Sequence, residues 1–106
     1  MTRQEIFDLV KTHLLKQNCK SQDQNGTCVY RSPDGRMCAA GPLIQDYSPD
    51  LEYKIVLMMP TKCWKLGVAE HLDMVRELQI VHDKCPVETW DSELKKVAGL
   101  YNLEIG

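Results

Sequence analysis

Apolar residues recur at helical spacing in three stretches of the chain. In the first, Ile6, Val10, His13 with Leu14, and Gln17 share one stripe, widened by Phe7 and Leu15. Thr2-Arg3-Gln4-Glu5 precedes it as a capping box, with the threonine hydroxyl facing the Glu5 amide and the carboxylate reaching back. A helix is predicted from 3 to 17. In the second stretch Val68, Leu72, Val75, Leu78 with Gln79, and His82 predict a helix from 67 to 83, ended by Lys84-Cys85-Pro86. In the third, Val87, Trp90, Leu94, Val97 with Ala98, and Tyr101 predict a helix from 87 to 102, with Asn102 as its stop.

The middle of the chain follows a different rhythm. Polar residues 18–26 end in the turn dipeptide Asn25-Gly26, and Thr27-Cys28-Val29-Tyr30-Arg31 reads as a short strand. Ser32-Pro33-Asp34-Gly35 supplies a tight turn, and Arg36-Met37-Cys38-Ala39 would return. Gly41 allows a second backbone to come close, and Pro42 suits the start of a short helical turn. Ser48-Pro49 looks like another helix start. From there to Met59 the pattern fits helix and strand equally, and Thr61 caps a short turn towards Leu66. The expected fold class is therefore α+β, one domain over residues 1–106, with three main helices and a two-stranded β-hairpin packed against them. A lone hairpin is unstable in water, so that packing is required.

Composition narrows the functional classes. At 106 residues with 43% hydrophobic and 26% charged positions, the chain has room for one core and is not disordered in composition. The longest apolar run, Ile55 to Met59, is far too short for a membrane span, and the first residues lack a signal-peptide layout. The expectation is a soluble intracellular protein without membrane association. The net charge of −2 argues against a protein devoted to nucleic-acid backbones. It hides an asymmetry: residues 1–65 carry nine Lys/Arg against seven Asp/Glu, residues 66–106 four against eight.

The chemistry-bearing residues form no established motif. Five cysteines (Cys19, Cys28, Cys38, Cys63 and Cys85) contain no C-x-x-C pair, so free thiols are expected and no metal site. Phosphate-binding, dinucleotide-binding, calcium-loop, zinc-protease and nucleophile-elbow signatures are all missing, which moves weight from enzyme to binder. No catalytic residue and no cofactor is assigned. The one thiol-and-base combination to consider is Cys38 with His82 or His13. His82-Asp83 has the composition of a general-base pair, but sequence neighbours on a helix point about 100° apart. Tyr30 flanked by Arg31, Arg36 and Lys20 has the composition of an anion and ring site. Trp64, between Lys62 and Lys65, is either core or an interface anchor, near the adaptable pair Met58-Met59.

Several of these residues carry a resemblance. Cys28-x-Tyr30-Arg31, a turn, and Cys38-Ala39-x-Gly41-x-Leu43-Ile44-x-Asp46 resemble small accessory proteins of tailed bacteriophages. So do Gln4-Glu5-Ile6-Phe7, His13-Leu14-Leu15, Leu78-Gln79-x-x-His82-Asp83, Trp90 and Leu94. The chain departs from that pattern at Glu52-Tyr53, where Glu-Gly is expected. The resemblance implies action in the host bacterial cytoplasm and brings no activity with it.

The leading expectation is a non-enzymatic protein that binds and modulates a host defence or metabolic protein through an apolar and aromatic patch near 47–66. The alternatives are a homo-oligomeric small-ligand binder, such as a sponge for a signalling nucleotide, and a small cysteine-dependent enzyme. The expected ligand- or partner-binding residues are Tyr30, Arg31, Arg36, Asp46, Tyr47, Trp64 and His82.

Overall fold

In the computed structural model, which describes residues Met1–Ile105, the three periodic stretches are helices. Helix α1 spans Arg3–Gln17, α2 Leu72–Lys84 and α3 Trp90–Leu100. The Thr2 and Glu5 capping box is formed in full, and Asn18 closes α1 in the left-handed conformation. Both later helices begin about one turn after the apolar pattern does. Their first residues form tighter 3₁₀ turns, Val68–His71 and Val87–Thr89, which keep the side chains on the stripe without continuing the α ladder. Each helix packs against the other two. Ile6, Phe7, Val10 and Leu14 meet Met74, Val75 and Leu78, and Trp90, Leu94 and Ala98, in one buried cluster. Among the described residues no helix is long and apolar enough to cross a membrane.

The α+β expectation is corrected: the fold is mostly all-α, and the described residues contain no strand and no hairpin sheet. Only one isolated bridge joins Arg31 to Met37 at the tight turn. The reason lies in where the backbone groups find partners. Cys28 bridges back to Gln22, and the Val29 amide donates to the Ser21 carbonyl, so most of the first limb pairs with 21–23. Only the Cys38 amide, donating to the Tyr30 carbonyl at 3.1 Å, extends the contact beyond the Arg31 and Met37 bridge. The Tyr30 and Arg31 amides donate to the Glu52 carboxylate. The Met37 amide donates to Gln17 Oε1, and the Ala40 amide to Gln79 Oε1. Side chains from distant positions thus satisfy the groups that a ladder would have paired.

The rest of the middle third is a chain of short turns. Gly41–Leu43, Pro49–Tyr53, Val56–Met58 and Thr61–Cys63 are single 3₁₀ turns, separated by extended residues. This resolves the stretch up to Met59 as neither α-helix nor strand. At Gly41 a Cβ would lie 2.7 Å from the Tyr30 carbonyl oxygen, so only glycine permits this approach of two backbones. Ile44 and Trp64 form a further isolated bridge, which draws the 61–66 segment onto the core.

Candidate functional site

The last turn of α2 holds a buried polar cluster. His82 is fully buried, with its ring tilted against Trp90 at 5.6 Å. Although sequence neighbours on a helix diverge, His82 Nδ1 lies 2.7 Å from Asp83 Oδ1. The short aspartate side chain curls back to the ring nitrogen nearest its own backbone. On the other side the Ser21 amide donates to His82 Nε2 at 2.9 Å. A backbone amide only donates, so Nε2 carries the lone pair and Nδ1 the proton. Gln79, one turn before Asp83, donates to its carboxylate at 2.9 Å while accepting from the Ala40 amide at 3.0 Å. Lys20 Nζ donates to the Asp83 carbonyl.

This arrangement holds structure together rather than moving protons. Both ring nitrogens of His82 are engaged, which leaves no lone pair for a general base. The ligand atoms of Cys28, His82 and Asp83 lie within 4.8 Å of one another, close enough to share one metal ion. Ligation through Nδ1 would require the ring proton on Nε2, where it would collide with the Ser21 N–H. Burial raises the Asp83 pKa, but hydrogen bonds from His82, Gln79 and Cys28 outweigh it and hold the carboxyl below its usual range. Burial first, and the Asp83 charge second, push the Cys28 thiol up.

A pH dependence follows. The folded Asp83 value lies below the unfolded one of about 3.9, so its contribution is complete above that value. It is lost as the pH falls through the folded value. Urea midpoints measured from pH 6 down to pH 2.5 should fall more steeply for the natural chain than for Asp83→Asn.

The residues expected to recognise an anion are likewise built into the fold. Glu52, which is not among the expected binding residues, accepts from the Tyr30 amide at 2.8 Å, the Arg31 amide at 3.1 Å and the Tyr47 hydroxyl at 2.6 Å. The Tyr30 hydroxyl donates to the Lys54 carbonyl. Burial, and then the carboxylate it faces, push the Tyr47 hydroxyl up to about 12. The Arg31 guanidinium donates to the Ile44 carbonyl at 2.9 Å and lies over the Tyr47 ring at 4.8 Å. Arg36 donates to the carbonyls of Lys20 and Gln22 and to Asp34, pinning the 20–22 loop. The two arginines therefore do not converge on a common site. An anion would have to displace these bonds.

The thiol-and-base combination is not assembled either. Cys38 is fully buried, and burial pushes its thiol far up, away from the thiolate that a nucleophile needs. His13 Nε2 faces the Met37 carbonyl at 2.9 Å. Trp64 is 3% exposed and belongs to the core, so it is not an exposed anchor. Asp46 is exposed beside it, in a groove with Lys62 and Lys65.

Alongside exposed polar residues such as Asp50, Lys54 and Lys62, the middle segment leaves large apolar side chains on the surface. Tyr53 is 90% exposed, Ile55 64%, Leu57 49% and Met58 70%, with Ile80 of α2 at 39%. Ile55, Val56, Leu57 and Ile80 line a cleft of about 250 Å³ together with Tyr30, Arg76, Gln79 and Asp83. Val56 and Met59 are buried and hold the segment in place, so its neighbours stand out. Among the described residues the ion pairs involve Arg3, Arg36, Lys95 and Lys96, and Arg76 is in none of them. Compared with family models, with curated proteins and with solved structures, the chain finds no match.

Proposed function

We propose that this chain is a non-enzymatic binding protein of the phage accessory type. It engages a host bacterial protein through the apolar surface around the Ile55, Leu57 and Ile80 cleft and modulates that protein by occupying it. The observation that carries this reading is a contrast within the molecule. The residues with catalytic composition have their donors and acceptors filled by the fold, whereas a run of large apolar side chains is left uncovered. Uncovered apolar surface of this kind marks interaction sites in soluble proteins. The resemblance of the Cys28–Asp46 and Leu78–Trp90 patterns supplies the bacterial context.

The test is capture from bacterial lysate by the natural chain and by an Ile55→Glu/Leu57→Glu variant. Both positions are exposed, so the variant should fold. The natural chain should retain one partner in stoichiometric amount, and the variant should lose it by tenfold or more. No stoichiometric partner, or equal retention by both chains, would contradict the proposal.

A further inference from the structure

Helix α2 presents Arg76, Gln79, Ile80 and Asp83 to the same cleft. The order along this face is cation, apolar centre, anion. Arg76 and Asp83 are seven residues apart, two turns or about 10.5 Å along the axis. A two-fold axis through the midpoint, between Gln79 and Ile80, turns this order into its own complement. It places Arg76 against the partner's Asp83, Asp83 against the partner's Arg76, and Ile80 against the partner's Ile80. Such self-complementarity is what an isologous contact requires. Arg76 is free for it, and Asp83, whose Oδ1 accepts from His82 and Gln79, has Oδ2 in neither of those bonds. Arg76 is exposed without an ion pair among the described residues, and the Asp83 side chain keeps 30% of its surface.

Apolar surface adjoins these charges: Ile55 and Leu57 are exposed and line the same cleft as Ile80. A standard interface takes about 800 Å² from each partner, with an apolar centre and a polar rim. Antiparallel α2 helices at a spacing of about 8–10 Å would bring the Ile55 and Leu57 walls of both clefts to the contact.

We infer that the free protein covers this surface with a second copy of itself, packed antiparallel along α2 about Ile80. The inference rests on the binding reading above: the copy and the host protein compete for one surface, so the dimer is the unengaged state.

The test is sedimentation velocity of the purified full chain between 1 and 500 μM, in 50 and 500 mM salt. The natural chain should form a dimer that weakens at high salt. Arg76→Glu should raise the dissociation constant about tenfold or more at low salt, because two attractions become two repulsions. Ile80→Asp, which sets like charges on the axis, should give a monomer with an unchanged circular dichroism spectrum. Mild oxidation of Ile80→Cys should give a covalent dimer that neither the natural chain nor Ser92→Cys forms. A monomer at every concentration would overturn the inference while leaving host-protein capture intact. A dimer indifferent to Arg76→Glu and Ile80→Asp would overturn it too.

Discussion

Replacing His82 with alanine is expected to remove most of the stability of this domain. The ring is fully buried against Trp90, so its loss opens a cavity of the kind that costs about 3–5 kcal/mol for a large side chain. The Ser21 amide, on a residue with no exposed surface, loses its only acceptor, which adds about 1–3 kcal/mol. Natural domains have about 5–15 kcal/mol in total, so the combined effect brings the chain close to unfolding at room temperature. Thermal and urea unfolding would measure it. The two amide variants divide the effect. Gln places its oxygen near Nε2 and can still accept from Ser21, whereas Asn places a donor near Nδ1 and can still serve Asp83. His82→Gln should be the milder of the two, because the acceptor it preserves serves a buried backbone amide.

Glu52→Ala is expected to have the second-largest effect. One carboxylate accepts from two backbone amides and a tyrosine hydroxyl, and thereby fastens the Pro49–Tyr53 turn to Tyr30 and Arg31. Hydrogen bonds to a charged acceptor are worth about 1.5–3 kcal/mol each. Partial access of water to the vacated donors reduces the total to about 3 kcal/mol, a fall of roughly 12–24 °C in melting temperature for a domain of this size. A local consequence accompanies the global one. The same segment continues into Ile55–Leu57, so amide exchange at 52–58 should quicken well beyond what the loss of global stability explains. Uniform quickening across all three helices would show that Glu52 does not act as a clamp on this segment.

The helices are legible in the sequence because their determinants are local. A capping box within four residues and a stripe at 3.6-residue spacing place α1 at its observed bounds. The starts of α2 and α3 fall about one turn later than the stripe predicts, since a 3₁₀ turn carries the same stripe. The middle third is illegible for the opposite reason. Its backbone partners are Glu52, Gln17 and Gln79, side chains 20 to 39 residues away from the amides they serve. Alternation of side chains cannot announce such partners, and so the turn at 32–35 predicts a hairpin that does not form. One signal is present. Gln79 lies on the apolar stripe of α2, and a polar residue on a core stripe must find a buried partner. Tyr30, Arg31, Arg36 and Tyr47 stand out in the sequence, but their chemistry serves the fold. Trp64, between two lysines, gives no local sign that the bridge to Ile44 buries it.

His82 and Glu52, which hold the fold, are thus distinct from Ile55 and Leu57, which are proposed to face a partner, and one paired measurement tests that separation most directly. Thermal unfolding and partner capture are read on the same preparations of His82→Gln and Ile55→Glu/Leu57→Glu. His82→Gln should melt well below the natural chain and, at a temperature where it is folded, retain the partner in full. Ile55→Glu/Leu57→Glu should melt with the natural chain and lose the partner. A folded His82→Gln chain that loses the partner, or an apolar-surface variant that keeps it, would contradict this division of roles.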